Sequence, residues 1–371
     1  MAQNTTLSRF QTALSTLYGP LPLSSPNLST WSPPASSGGH KGRYLWTDAF
    51  GVLNFLTLYR ELNNEVYLIL AARLIEEVHN TLGYTRDGTS RLPGATESNP
   101  LGGGLRIGKL DEGGSDGDGQ YHHYLTLWMF ALNRMSLASK DSKYNNLAVA
   151  LAKAIHPHFF LNRTPGNDRI IRMVWKMDVN LSTALVGSEG NLDPIDGFVV
   201  FRLLQAAAQQ YGEGEILKDE IEDYARVMRR KGEHFVTSDP LDLGMTMWTV
   251  HWVIGEKWAG RLAERCFEQM YDLFETGQYL SRSTKYRLAF REFGTALGVR
   301  CMAEQDSEKE RSVDLKVYAD RILAAWESHM EASLEGDKKP GDLKPITRAM
   351  YAAAMIPGAF QCGYLGPEPR L

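Results

Sequence analysis

Acidic and basic side chains gather in this chain at the starts of apolar segments and in the glycine-rich stretches between them. The acids are Asp48, Asp116, Asp118, Glu189, Asp193, Asp196 and Glu292; the bases are Arg106, Lys109, Arg172, Lys176, Arg291 and Arg348. His122, His123 and His251 fall inside the apolar segments. Carboxylates in such a set suit a hard cation, and Arg or Lys beside them suits a phosphate or carboxylate group. Asp116 and Asp118 together could chelate such a cation, although Gly-Ser-Asp-Gly-Asp-Gly is equally a flexible acidic turn. Asp118 and His122 are four apart and share a helical face if a helix begins near Gly117. Helix capping competes with chemistry for Asp118 and Asp193, the latter preceding Pro194 as a cap would. Asp48, Asp196 and Glu292 lie at or inside buried helix starts, which capping explains less well. Arg291-Glu292 is either a site pair or a structural ion pair.

Local motifs exclude more than they assign. Adjacent His122 and His123 diverge on a helix and no HExxH occurs, so there is no zinc signature. The acidic turn lacks the distal Glu of a calcium loop. The run Gly102–Lys109 is not a P-loop, because no GK[ST] follows, nor a dinucleotide fingerprint, because no βαβ unit surrounds it. Its glycines permit close backbone approach and Arg106 and Lys109 add charge, so it is a lid over an anionic group or an ordinary surface loop. His156-Pro157-His158 reads as a helix stop.

The elements that must position these residues form a repeated helical hairpin. Segments apolar nearly all round are Tyr44–Leu62, Gln120–Ser136, Asp196–Tyr211, Leu243–Gly255, Leu288–Met302 and Thr347–Pro357. Segments with one apolar stripe and one charged face are Val66–Leu82, Tyr144–Ile155, Glu215–Phe235, Trp258–Thr276 and Val313–Ala332. The sixth outer helix is Leu7–Tyr18. The repeat, at about 50–75 residues, predicts an all-α (α/α)6 toroid, six inner helices inside six outer ones. Residues 1–371 would be one domain, with 1–43 as the helix and strap that close the ring. Two long connections, Tyr84–Gly119 and Pro157–Leu192, lead into inner-helix starts and so belong at the active-site mouth. The second holds Arg169, Arg172 and Trp175, and a charged turn at Gly336–Pro345 precedes the last inner helix. Inner-helix N-termini point free N–H groups into that mouth, which suits an anionic ligand. Trp46, Phe50, Trp248 and Phe293 are the aromatic candidates for lining it, though most inner aromatics are core.

A net charge of −4 and the lack of a basic stripe give no support to a nucleic-acid partner. No segment has the ~20 apolar residues needed to span a bilayer. Three unpaired cysteines, Cys266, Cys301 and Cys362, and no signal-peptide pattern place the chain in the cytoplasm as an expectation.

The hairpin pattern resembles the six-hairpin toroid superfamily over nearly the whole chain. One group in it is carbohydrate-active: glycoside hydrolases, unsaturated glucuronyl hydrolases and sugar 2-epimerases. That resemblance implies a carboxylate pair from Asp48, Asp196 and Glu292, or His122 or His251 in the epimerase version. In size and all-helical character the chain also resembles the atypical fungal sesquiterpene cyclases of the humulene-synthase kind, enzymes of secondary metabolism. It departs from ordinary terpene cyclases in having no DDxxD and no NSE-type triad. A neutral sugar needs few cations, whereas a diphosphate with Mg²⁺ needs both carboxylates and Arg or Lys. The mouth's bases therefore favour a lyase that ionises farnesyl diphosphate and cyclises the cation, with a sugar enzyme as the alternative. On that reading Asp48, Asp118 and Asp196 bind Mg²⁺ and Glu292, His122 and His251 complete the catalytic set. Arg106, Lys109, Lys176, Arg291 and Arg348 grip the prenyl diphosphate, and Trp46, Phe50, Trp248 and Phe293 contain the cation.

Overall fold

The computed structural model of the chain describes residues 2–22, 28, 30–35, 37–114, 116–161, 171–305, 310–334, 345–369 and 371. Arg169 and residues 336–344 of the expected charged turn lie outside them. Among the described residues are twelve α-helices. The first six are α1 (Ala2–Tyr18), α2 (Leu45–Leu62), α3 (Val66–Leu82), α4 (His122–Ser139), α5 (Ser142–Phe159) and α6 (Asp193–Gln210). The rest are α7 (Lys218–Arg230), α8 (Pro240–His251), α9 (Lys257–Tyr271), α10 (Ala289–Gln305), α11 (Glu310–Leu334) and α12 (Pro345–Met355). Four two-residue strands, β1 (Gln120–Tyr121), β2 (Phe160–Leu161), β3 (Arg172–Met173) and β4 (Lys176–Met177), pair antiparallel as β1–β4 and β2–β3.

All six expected inner helices and all six outer ones are present, with ends shifted by a few residues. One local expectation fails. Pro157 does not stop α5, which runs on to Phe159. The helix ends two residues beyond it.

The chain separates into two compact units, Pro22–Gly232 with Leu365–Leu371, and Met1–Leu21 with Glu233–Tyr364. Each holds three helix pairs. In the first, α2–α3, α4–α5 and α6–α7 are hairpins, and α4 packs on both α2 and α6. The core helix α2 is buried without a break from Leu45 to Leu58, whereas α3 buries only a stripe through Leu70, Leu74 and Val78. In the second unit the pairs are α8–α9, α10–α11 and α12–α1, and α10 packs on both α8 and α12. There α8 and α10 meet backbone to backbone: a Cβ on Gly298 would lie 1.9 Å from the Gly244 carbonyl oxygen.

The two long connections of the first unit form a collar over the starts of α2 and α4. Neither α2 nor α4 has a side-chain cap on its own N-cap residue. Leu45 donates its amide to the Ile107 carbonyl at 3.0 Å, and His122 donates to the Trp175 carbonyl at 3.0 Å. The Gln120 side chain ties both loops, donating to the Gly103 and Val179 carbonyls and accepting from the Leu105 amide. Gly104, at φ 76°, lets that side chain in. The glycine-rich run is thus packed scaffold, with Leu101, Leu105 and Ile107 fully buried.

His79 of α3 binds its hairpin neighbour α4 by accepting from the Trp128 indole N–H at 3.1 Å. Burial pushes this imidazole down to about 4. The unfolded chain therefore takes up a proton that the fold refuses between the ordinary histidine value and 4, so stability rises with pH across that window. Allowing for the partial exposure of His79, the loss on acidification is on the order of 2 kcal/mol. Urea unfolding from pH 7 to pH 4 should show His79→Gln losing about that much less than wild type. Parallel curves would remove His79 as a source of acid sensitivity.

Candidate active site

The starts of α2, α4 and α6 come together in the first unit, and their side chains form the best-furnished cluster there. His123, in the first turn of α4, has its Nδ1 hydrogen-bonded to the Asp196 carboxylate in the first turn of α6. Its amide donates to Asp193 Oδ1 at 3.1 Å, so Asp193 caps α4 rather than its own helix. The imidazole lies against the Trp46 ring at 4.6 Å between centroids. From Trp46 aromatic contacts continue to Phe50 at 5.4 Å and Tyr124 at 4.9 Å, then to Tyr121 at 4.9 Å and Trp175 at 4.7 Å. The Tyr44 and Tyr124 hydroxyls are 3.1 Å apart. His123 is 8% exposed and Asp196 1%, so the pair is nearly dry. An imidazole held by a carboxylate on one nitrogen is a general acid–base in form.

His122 takes another direction. It is fully buried, with Nε2 2.5 Å from the Tyr224 hydroxyl and its ring edge-on to Phe159. Because α4 begins at His122 and not near Gly117, Asp118 and His122 share no helical face.

Asp118 is instead the knot of the collar. Its Oδ2 accepts from Arg86 Nη1 and Arg106 Nη1, each at 2.7 Å, and its Oδ1 accepts from the Gly108, Lys109 and Gly119 amides. Arg106, also fully buried, further donates to the Tyr84 and Thr81 carbonyls. Lys176 is buried and donates to the Gly117 carbonyl at 2.8 Å; burial lowers its pKa. Lys109 sits 3.9 Å from exposed Asp116. Asp48 accepts from Ser37 Oγ at 2.5 Å, Arg43 Nη1 at 3.4 Å and the Tyr44 amide at 3.2 Å, which pins the strap to α2. Glu189 pairs with Arg230, and Arg172 donates to the Gly187 carbonyl.

In the second unit Glu292 is fully buried and held bidentately by Arg287, at 2.8 and 2.5 Å, with the Trp326 indole donating at 2.8 Å. Its partner is thus Arg287, while Arg291 pairs with Asp239, the cap of α8. Phe293 packs on Tyr351 in the core. Trp248 donates to the Phe360 carbonyl, and His251 binds the Trp248 carbonyl through Nδ1 and accepts the Cys362 amide at Nε2. Both lie in the C-terminal half of α8, away from the helix starts. Arg348 donates to Ser333.

The structure thus brings Asp196, Trp46 and Phe50 into one cluster with His123, and scatters the other candidates. Asp48, Asp118 and Asp196 each have different partners. Among the described residues no three His, Cys, Asp or Glu side chains come together so as to hold a metal ion. The expected Mg²⁺ ligands already accept from arginine, serine, histidine or amide groups, a donor set that does not fit a cation. His123 and Trp175 were named without a role, and Tyr124 and Tyr224 were not singled out. The available signal was the His-His dipeptide followed by an apolar helix, since adjacent residues on a helix must face different surroundings.

Neither a family model nor a curated protein sequence matches this chain. Solved structures do. The α-1,6-mannanase of glycoside hydrolase family 76 from Salegentibacter is 11% identical, over 95% of this chain and 97% of that one, with a TM-score of 0.56. The cellobiose 2-epimerase of Bacillus thermoamylovorans is 12% identical, over 95% and 99%, also at 0.56. A D-mannose isomerase is 12% identical, over 95% and 97%, at 0.54. These likenesses show the fold: an all-α (α/α)6 toroid of the six-hairpin kind. They correct the choice made from mouth charge. The similar structures found include glycosidases, epimerases and an isomerase, enzymes of sugars rather than of prenyl diphosphates, so the sesquiterpene cyclase reading, with its magnesium and diphosphate, falls. The bases that favoured it are mostly committed to carbonyls and carboxylates of the scaffold. Among the described residues no helix is long and apolar enough to cross a membrane.

If Asp118 is a knot, its loss should be felt in stability. Asp118→Asn leaves the buried Arg106 and the partly buried Arg86 without their anion and should lower the unfolding free energy by roughly 3 kcal/mol. Denaturant unfolding would register it. An unchanged midpoint would return Asp118 to the list of reactive acids.

Proposed function

We propose that the chain is a carbohydrate-active enzyme that moves a proton between carbons 1 and 2 of an aldose, an aldose–ketose isomerase. The single observation that carries this is the His123–Asp196 pair, nearly dry and set against Trp46 at the helix starts. In the proposed step His123 takes the proton from carbon 2 of the open-chain sugar. The C–H electrons form a carbon–carbon double bond and the carbonyl oxygen becomes an enediolate oxygen. His123 then returns the proton to carbon 1, and a proton moves from the carbon-2 hydroxyl to the oxygen on carbon 1. Asp196 orients the imidazole and stabilises its cationic form, as a carboxylate does on the far nitrogen of a catalytic histidine. Trp46 offers a ring for sugar C–H faces, and the Tyr44–Tyr124 hydroxyl pair offers donors for sugar oxygens.

One base on one face suffices for a transfer between neighbouring carbons, whereas epimerisation needs a proton delivered to the opposite face. His122, buried behind α4, does not offer that second base. Glycoside hydrolysis needs two carboxyl groups facing one bond. Here Asp196 serves His123, Asp193 caps α4, Asp48 holds the strap and Glu292 is clamped by Arg287.

The test is a panel of aldoses and disaccharides with a reducing end, with ketose formation followed by chromatography. Wild type should convert at least one. His123→Ala should lose about 10³-fold in kcat, and Asp196→Asn about 10²-fold with KM little changed. Full activity in His123→Ala would overturn the proposal.

A further inference from the structure

Behind the His123–Asp196 pair lies a second, buried set of groups: Tyr224, His122 and Asp193. Tyr224 belongs to α7 and is fully buried, at 0% exposure. It reaches α4 across α6 at Gly197, where a Cβ would lie only 2.1 Å from the Tyr224 Cε1 atom. Its hydroxyl is 2.5 Å from His122 Nε2 and has no other hydrogen-bond partner among the described residues. Burial, followed by the nearby Asp193 and Asp196 charges, raises its pKa well above the phenol range, so it keeps its proton.

That proton has one acceptor within reach, His122 Nε2. The imidazole hydrogen then sits on Nδ1, which faces Asp193 Oδ1 at 3.5 Å without hydrogen-bond geometry, an electrostatic contact in a dry site. The same oxygen receives the His123 amide at 3.1 Å. Asp193 is boxed on its other side, because a Cβ at Gly190 would come within 2.0 Å of Oδ2. The order is therefore a hydrogen bond from the phenol to the imidazole, an electrostatic contact between imidazole and carboxylate, and a hydrogen bond from the backbone amide of the proposed catalytic histidine to that carboxylate.

We propose that Tyr224 is a positioning residue: by donating to His122 it fixes the Nδ1–H tautomer, which holds Asp193 on the His123 amide and so sets His123 against Asp196. None of the three needs to touch substrate. A phenol in this role must be present as an O–H donor, whereas a packing role needs only the ring. The effect on turnover rests on the isomerase reading; the tautomer does not.

Two measurements on the full chain test this. Long-range proton–nitrogen NMR of imidazole-labelled protein, without substrate, should show His122 protonated at Nδ1 in wild type. In Tyr224→Phe that preference should be lost and the His123 ring resonances should move. His122 carrying its proton on Nε2 in wild type, or unmoved His122 and His123 signals in Tyr224→Phe, would overturn the proposal whatever the enzyme's substrate is. In the isomerase assay Tyr224→Phe should lower kcat about tenfold or more with KM within about twofold. A kcat equal to wild type in the folded variant would also overturn it. Failure of wild type to isomerise any sugar would instead strike the function proposed above, and leave the NMR result to decide the tautomer.

Discussion

Buried helix starts impose the central constraint on this structure. The first turn of any helix leaves amide hydrogens without helical partners, and α2 and α4 begin where little water reaches. Neither solves the problem with its own N-cap residue. The collar solves it instead, by bringing the Ile107 and Trp175 carbonyls over Leu45 and His122. The collar in turn depends on Asp118, which neutralises Arg86 and Arg106 while those arginines hold the Thr81, Tyr84, Lys109 and Leu110 carbonyls. Removing a charge from such a knot exposes its partners to an uncompensated burial cost.

The same arrangement explains why the cluster at His123 is rigid. Its backbone is capped by Asp193, its ring by Asp196 and Trp46, and the residue before it by the collar. Preorganisation of this kind lets an imidazole act without paying for its own orientation at each turnover. The aromatic contacts from Trp46 outward to Trp175 continue the cluster toward the second loop, whose position is fixed by β1–β4 pairing and by the Trp175 indole donating to Ser188 Oγ at 3.0 Å. Chemistry and scaffold thus share residues one position apart in the sequence.

Helical periodicity made the fold readable. Val66–Leu82 was bounded to the residue, and the two long connections stood out as too long for simple turns. Charge made the site hard to read. Arg106, Lys176 and Asp118 look alike in sequence whether they meet a ligand or a loop carbonyl, and only the folded collar distinguishes the two. A shift of five residues in the start of α4 broke the Asp118–His122 register and hid the fact that His123, not His122, meets Asp196. Glu292 illustrates the same limit: its partner is five residues earlier, at Arg287, not beside it at Arg291. Pro157 stands inside α5, two residues before its end, and not just beyond it.

The central claim is that His123 exchanges a proton with carbon 2 of a sugar. Incubating the protein with aldoses in D₂O and following the carbon-2 proton by NMR tests it most directly, because exchange is seen even when net conversion is small. The account predicts deuterium at carbon 2 with wild type and none above background with His123→Ala. Exchange that persists undiminished in His123→Ala, or no exchange with any reducing sugar, would contradict it.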